Sequence, residues 1–122
     1  MFSCYIAGPY TGATKEEVDR NIDQAAEAAS YYYKRGYAVY CPHLQTSYID
    51  RHYNQGEELE YNDWMRNDIY WLEKCSMVVF LPGSENSNGA KMERLIAEAL
   101  GKLIVEWEPG YRKPGQWKIR GR

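Results

Sequence analysis

The sequence lacks several features that would place the protein in a familiar class. No apolar run approaches the roughly 20 residues that cross a bilayer. The amino terminus has none of the charged, apolar and small-residue regions of a signal peptide. The formal net charge is only −2, which gives no support for binding a nucleic-acid polymer. We therefore expect a cytoplasmic protein that engages neither a membrane nor a nucleic-acid polymer.

Cysteine is scarce, and its spacing argues against disulfides and metals. The chain has three cysteines, Cys4, Cys41 and Cys75, and no two of them form a CxxC pair. Because an odd number cannot all pair with one another, we expect reduced, buried thiols. The histidines nearest Cys41, His43 and His52, have a spacing that matches no zinc pattern. The sequence predicts neither a metal ion nor a cofactor.

The common phosphate-binding motifs are also missing. Residues 8–15 read Gly-Pro-Tyr-Thr-Gly-Ala-Thr-Lys, without the Gly-Lys-Ser/Thr ending of a P-loop and without the three glycines of the dinucleotide fingerprint. The sequence therefore gives no motif-based evidence for nucleoside triphosphate hydrolysis or for chemistry with a nicotinamide cofactor. A site for a smaller anion remains open.

The segments that are present alternate between strand and helix patterns. At 122 residues the chain has the length of one domain, 1–122. Predicted strands cover residues 2–7, 37–41, 77–81 and 102–107. Predicted helices run from a capping box at Thr14 to Gly36, over 61–72, and from Ser87 to about Gly101. A polar, aromatic loop is predicted over 43–57, and one more edge strand over 116–119 in a basic tail from about residue 109.

This alternation predicts the fold class. It is typical of a three-layer α/β fold, flavodoxin-like or Rossmann-like, with a parallel sheet of four to five strands in the order 2-1-3-4-5 and helices on both faces. Ligands of such sheets bind beyond the carboxyl ends of the strands. We expect Gly8 and Pro9, after the first strand, to share that rim with residues 83–89.

The helix after residue 87 carries the first candidate acid. Ser87 is a plausible N-cap, and the free backbone N–H groups behind it can bind an anion. With about 100° between successive residues, one apolar stripe forms that we expect to be buried: Met92, Leu95, Ile96, Ala99 and Leu100. Glu93 lies at the margin of this stripe, where its carboxylate is partly desolvated, unless it is simply one more surface acid.

The preceding helix carries the second candidate acid. Helical spacing places one group on a single face, with Trp64 and Trp71 beside it: Tyr61, Met65, Ile69 and Leu72. Asp68 falls inside this group, where burial is costly unless the carboxylate is paired or hydrogen-bonded. Desolvated acids cluster at active sites. In the alternative interpretation, Asp68 reaches water or pairs with Arg66 or Lys74.

Three blocks of the sequence together resemble the nucleoside 2-deoxyribosyltransferase superfamily. They are Tyr-Ile-Ala-Gly-Pro-Tyr at 5–10, Asn-Asp-Ile at 67–69 with the strand from residue 75, and Ser-Asn-Gly-Ala-Lys-Met-Glu at 87–93 followed by Ala97 and Gly101. The similarity covers roughly residues 2–106. The pattern is most similar to small members from phages and bacteria and to the nucleotide N-glycosidase branch.

The resemblance implies glycosyl bond chemistry. Glu93 would be the nucleophile at the anomeric carbon, Asp68 would act on the base or its leaving group, and Tyr5 would orient the nucleophile. A glycosyl-enzyme ester would form and then be released by water or by a second base. The resemblance also implies a homodimer or higher homo-oligomer.

The residue at position 87 separates the branches of the superfamily. Members that act on free nucleosides carry an acid there, whereas Ser87, with Gly8, Pro9, Gly89 and Ala90, suits a 5′-monophosphate. The expected activity is thus N-glycosidic hydrolysis of a (deoxy)nucleoside 5′-monophosphate. Base exchange between nucleosides and nucleotide binding without cleavage are the alternatives, and Ser87 as a plain N-cap needs no ligand.

Two further features bear on phosphate recognition. The first glycine loop, residues 8–12, has no arginine, unlike that of many nucleotide hydrolases in the superfamily. The tail holds Arg112, Lys113 and Arg120, which either reach a neighbouring subunit's phosphate or belong to a solvated segment.

Overall fold

The protein is built on one five-stranded sheet. The computed structural model describes residues 2–49 and 56–108 and the backbone of Lys118–Ile119. The strands are β1 Ser3–Ala7, β2 Ala38–Tyr40, β3 Met77–Phe80, β4 Leu103–Glu106 and β5 Lys118–Ile119. The helices are α1 Lys15–Lys34, α2 Pro42–Ile49, α3 Tyr61–Lys74 and α4 Asn88–Ala99, with a 3-10 turn at Ser84–Asn86. None of the helices in this described part is both long and apolar enough to cross a membrane.

The strand order follows the prediction. The sheet runs β2-β1-β3-β4-β5, and its first four strands are parallel, which confirms a three-layer α/β fold. β5 occupies the predicted edge but runs antiparallel to β4.

Alternation along the strands divides the core between two faces of the sheet. Cys4 and Ile6 of β1 pack on the face covered by α1. Tyr5 and Ala7 point to the opposite face, where they pack with residues of α3 and α4. Because side chains alternate along a strand, Tyr5 lies on the same face as the two helices that carry Asp68 and Glu93.

The start and end of α1 agree with the sequence signals. The Thr14 hydroxyl accepts from the Glu17 amide at 3.2 Å, and the Glu17 carboxylate accepts from the Ala13 amide at 2.8 Å. The chain leaves the helix through Gly36, whose φ of 85° suits a residue without a Cβ atom. The Thr14 contact pairs one of the amide groups that the first turn leaves without a helical partner.

The prediction of a loop over residues 43–57 is wrong in its first part. Residues 42–49 form α2, which begins at Pro42. Proline suits the first helical position because its fixed φ is already helical and its missing N–H would have no partner there. The helix has no strong amphipathic pattern, so periodicity does not detect it. Residues 50–55 of the predicted loop lie outside the described residues, and residues 57–60 form no regular element.

The predicted burial of the apolar stripe on α4 is also wrong. The buried residues of this helix are Ala90, Glu93 and Ala97. Most of the predicted stripe is exposed instead: Met92 47%, Leu95 69% and Leu100 52%, with Ala99 also exposed and Ile96 half-buried. Small alanines allow a helix to approach a sheet closely. The side of α4 with Ala90 and Ala97 therefore faces the sheet, and the bulky apolar residues face outward.

Candidate active site

A cavity of about 550 Å³ lies at the carboxyl ends of β1 and β3. Four segments line it: the loop after β1 with Gly8, Tyr10 and Thr11; α2 with Pro42, His43 and Thr46; α3 with Tyr61, Trp64, Met65 and Asp68; and residues 86–90 with Glu93. This rim is where ligands bind in open parallel sheets. The structure therefore brings the two candidate acids into one cavity.

Glu93 is a buried acid, and it is not part of the exposed surface. Only 6% of the residue is exposed, because it lies on the side of α4 that packs toward the sheet. The Tyr5 hydroxyl donates a hydrogen bond to Glu93 Oε2. Burial raises the pKa of Glu93 to about 8, with the Tyr5 hydrogen bond acting to lower it and Asp68 acting to raise it. The interpretation of Glu93 as a surface acid is wrong.

Asp68 is buried as well, with 9% of the residue exposed. Burial raises its pKa to about 6, and a hydrogen bond from the Asn67 side chain acts in the opposite direction. The cations that could have explained Asp68 have other partners. Arg66 pairs with Asp63 at 3.3 Å, and the Lys74 ammonium lies 4.9 Å from the centre of the Tyr70 ring.

The position of Tyr5 is fixed by the two strands that pair with β1. It is fully buried and pairs with Tyr40 of β2 on one side and with Val78 of β3 on the other. A buried hydroxyl needs a hydrogen-bond partner, and the Glu93 carboxylate supplies it. The resemblance-based expectation that Tyr5 touches the Glu93 side chain therefore corresponds to a contact in the structure.

The first glycine loop closely approaches Leu81, the residue that follows β3. A Cβ atom on Gly8 would lie 2.7 Å from Leu81 Cβ, so no larger residue fits without displacement. His43 Nε2 donates to the Pro9 carbonyl at 2.9 Å. Asn21 of α1 donates to the carbonyls of Tyr10 and Thr11, each at 3.2 Å. Gly8 lines the cavity, whereas Pro9 supports the loop from behind through its carbonyl.

The start of α4 forms another wall. Ser87 is the N-cap, as predicted, and its hydroxyl accepts from the Ala90 amide at 3.2 Å. Ser87, Gly89 and Ala90 all line the cavity, so the positive end of the helix dipole is directed at it. Among the described lining residues, none is Lys or Arg, and the acids Asp68 and Glu93 are the charged groups.

Sequence reasoning missed three residues beside the acids. His43 was considered only as a metal ligand, and Asn67 only as part of a motif. Tyr40 lies within the strand predicted over residues 37–41, yet its hydroxyl accepts from the Asn67 amide at 2.6 Å. These contacts join residues far apart in the chain, and no short-range pattern signals them. The predicted tail residues Arg112, Lys113 and Arg120 lie outside the described residues.

Comparison with known proteins gives a family and a fold. No curated protein matches the sequence. Residues 2–106 match the family described as "Domain of unknown function (DUF4406)". A similar solved structure is that of a 2-deoxyribosyltransferase from the psychrotolerant bacterium Bacillus psychrosaccharolyticus. The TM-score is 0.65 and the identity 16%, over 88% of this chain and 72% of that chain. At this identity the likeness establishes the fold.

Proposed function

This chain belongs to the DUF4406 family, and we propose that it is an N-glycosidase acting on a (deoxy)nucleoside 5′-monophosphate. One observation carries the proposal. Two buried carboxyl groups, Asp68 and Glu93, come from different helices, line one cavity, and are accompanied by a tyrosine hydroxyl on Glu93. Most enzymes that hydrolyse glycosidic bonds use a pair of carboxyl groups as their catalytic groups.

In the first step, Glu93 attacks the anomeric carbon. A carboxylate oxygen forms a bond to C1′, and the C1′–N bond breaks with its electron pair leaving on the base. Asp68 donates a proton to the departing base, which neutralises that charge. The Tyr5 hydroxyl holds the ionised form of Glu93 through its hydrogen bond. The product is a glycosyl ester on Glu93.

In the second step, water attacks C1′ of the ester. Asp68, ionised after the first step, takes a proton from the water, and the C1′–O bond to Glu93 breaks. Sugar 5-phosphate leaves, and both acids return to their starting forms. Covalent capture thus divides one difficult displacement into two easier ones.

The start of α4 is the proposed phosphate site. The Ser87 hydroxyl and the first amides of the helix are neutral hydrogen-bonding groups at the positive end of a helix dipole. An acid at position 87 would repel a phosphate, whereas serine does not. This preference supports a nucleotide over a free nucleoside.

The direct test measures free base released from a panel of nucleoside 5′-monophosphates by chromatography. Glu93→Gln keeps an acceptor for the Tyr5 hydroxyl but removes the nucleophile, so we expect release to fall by about 10³-fold or more. Glu98→Gln, at an exposed position of the same helix, is the matched control and should retain wild-type activity. An unchanged rate in Glu93→Gln removes Glu93 from the mechanism.

One observation favours a second candidate, base exchange between free nucleosides. The described part of the cavity wall has no Lys or Arg to balance a phosphate dianion. Adding a free base as acceptor separates the two functions, because a transferase makes a new nucleoside faster than it releases sugar. Tight nucleotide binding without turnover, unaffected by Glu93→Gln, would instead indicate a binding module.

The exposed side of α4 supports a homodimer. Met92, Leu95 and Leu100 are apolar and largely exposed, and contact between two copies of this stripe would remove apolar surface from water. Leu95→Lys should therefore convert a dimer into a monomer in sedimentation experiments, whereas Asp23→Lys, at an exposed position of α1 on the opposite face of the sheet, should not. A wild-type protein that sediments as a monomer contradicts this proposal.

A further inference from the structure

Two tyrosines occupy matching positions on the neighbouring strands β1 and β2 of the sheet. Tyr5 of β1 is the register partner of Tyr40 of β2. Their rings are stacked, with centroids 5.7 Å apart and an interplanar angle of 27°. Tyr5 serves Glu93 directly through its hydroxyl. The hydroxyl of Tyr40 lies on the same aromatic stack and has a different partner.

The ring of Tyr40 is held on both sides. Its second neighbour is Trp71 of α3, with centroids 5.6 Å apart and an interplanar angle of 21°. A ring between two others has little freedom to tilt, so the position of its hydroxyl is well defined. That hydroxyl accepts from the side-chain amide of Asn67 at 2.6 Å.

Asn67 in turn contacts the second acid. It precedes Asp68 in α3, and hydrogen bonding from its side chain acts to lower the pKa of the Asp68 carboxyl group against the effect of burial. Neighbouring helix residues do not face each other without a further constraint. The hydrogen bond to Tyr40 is such a constraint, because it orients the Asn67 amide toward the sheet.

We infer that Tyr40 is a positioning residue for Asp68. Its hydroxyl holds the Asn67 amide in place, and the amide holds the Asp68 carboxyl group at the cavity wall. The two acids thus each depend on one of the two stacked tyrosines, Glu93 directly on Tyr5 and Asp68 through Asn67 on Tyr40. The consequence for turnover rests on the proposed function, whereas the orientation of Asp68 does not.

Several titratable groups surround Asp68. Tyr5 of β1 and Tyr40 of β2 both experience its charge, as does Glu93 of α4. His43 of α2 lines the same cavity, and burial lowers its pKa. Burial raises the pKa of Tyr40 to about 12, so Tyr40 stays neutral while Asp68 titrates, and Tyr40→Phe changes no charge near Asp68.

The test measures the pKa of Asp68 by carbon-13 NMR of its carboxyl group. Tyr40→Phe keeps the ring between Tyr5 and Trp71 and removes the oxygen that holds Asn67. With the amide released, we expect the pKa of Asp68 to rise by roughly 0.5 to 1 unit. Tyr37→Phe is the matched control, since Tyr37 packs with the core on the opposite face of the sheet, and it should leave the titration unchanged.

A double-mutant cycle distinguishes positioning from a general structural effect. Asn67→Ala should raise the pKa of Asp68 in the same direction, and Tyr40→Phe in that background should add nothing further. An unchanged Asp68 titration in Tyr40→Phe, or a full additional shift in the double variant, overturns the inference. Asn67→Ala alone provides the test if Tyr40→Phe does not fold, because an unchanged pKa there removes the link.

Turnover gives an independent readout. If the proposed function holds, Tyr40→Phe lowers kcat by about tenfold with KM little changed. The pKa of Asp68 seen in the pH dependence of the rate then shifts by the same amount as the pKa measured by NMR. A shifted titration in a protein without glycosidase activity supports the positioning role and contradicts only the proposed function. An active enzyme with an unshifted titration contradicts only the positioning role.

Discussion

Two glycines of the cavity wall differ in what a side chain would meet. An added Cβ on Gly8 would lie 2.7 Å from Leu81 Cβ and 2.8 Å from its Cδ1, and Leu81 is 1% exposed. On Gly89 the nearest atom, Met65 Sδ, would be 3.7 Å away, which is an ordinary contact. A substitution at Gly8 therefore tests the effect of close packing, whereas the same substitution at Gly89 tests only the effect of a change beside the cavity.

We expect Gly8→Ala to lower the free energy of unfolding by about 1–3 kcal/mol, because overpacking forces the loop or Leu81 to move. Gly89→Ala should be neutral or stabilising by up to about 1 kcal/mol, since alanine is the better helix former. Urea unfolding measures both. Equal effects of the two substitutions would contradict this account.

The raised pKa of Glu93 makes stability depend on pH. The carboxyl group has an ordinary pKa of 4.5 and a pKa of about 8 in the folded protein, so folding disfavours its ionised form. The contribution of Glu93 to the stability of the folded protein is fully present below about pH 4.5 and is lost as the pH rises through about 8. Ionising Glu93 therefore destabilises the native state.

Glu93→Gln removes this penalty. Relative to wild type, the variant should gain stability as the pH rises from 4.5 to about 8, by on the order of 3 to 5 kcal/mol in total. Urea unfolding at several pH values within this range measures the difference. A difference that stays constant with pH would show that Glu93 does not titrate as a buried acid.

The two acids together should give a bell-shaped pH dependence of kcat/KM. The pKa of Asp68 is raised to about 6 and that of Glu93 to about 8, so the pair retains one proton between these values. Because Glu93 has the higher pKa, most of the one-proton population carries the proton on Glu93, and the reactive form, with the proton on Asp68 and Glu93 ionised, is the minor fraction of it. Below the range both carboxyl groups are protonated, and above it both are ionised, so the one-proton form disappears and activity should fall on both sides. A rate that stays level from pH 5 to 9 would contradict the assignment.

At the scale of an element, the start of α4 combines a helix cap with the proposed phosphate site. Ser87→Ala should cost about 1 kcal/mol of stability through the lost cap. Ser87→Asp retains a cap but places a charge beside the phosphate. We expect Ser87→Asp to lower kcat/KM for a 5′-monophosphate by about tenfold relative to the free nucleoside. An unchanged ratio would place the phosphate elsewhere.

The elements also show where periodicity succeeds and where it fails. Alternating strands and helices, the caps at Thr14 and Ser87, and the glycine end of α1 could all be predicted, because each depends on neighbouring residues. α2 could not, because it has little amphipathic character. On α4, periodicity identified a stripe but not which side faces the sheet, because the small residues Ala90 and Ala97 pack where larger ones would not fit.

At the scale of the whole molecule, the three thiols report on global unfolding. Cys4, Cys41 and Cys75 are all buried and free. Burial raises the pKa of Cys4 to about 12 and that of Cys41 to about 11, so little reactive thiolate forms near neutral pH. We expect iodoacetamide at pH 8 to label all three at the rate at which the native protein opens. Rapid labelling of any one thiol would show a local opening of the core.

The sequence by itself determined the order of elements, the parallel sheet and the identity of two anomalous acids, because these follow from local spacing and from the cost of burying charge. Only the tertiary structure decided that Asp68 and Glu93 share a cavity, and that Tyr40 reaches Asn67 across 27 positions of the chain. Such contacts depend on strand register and on how closely each helix approaches the sheet. Both are set by packing among distant residues, which no short-range pattern records.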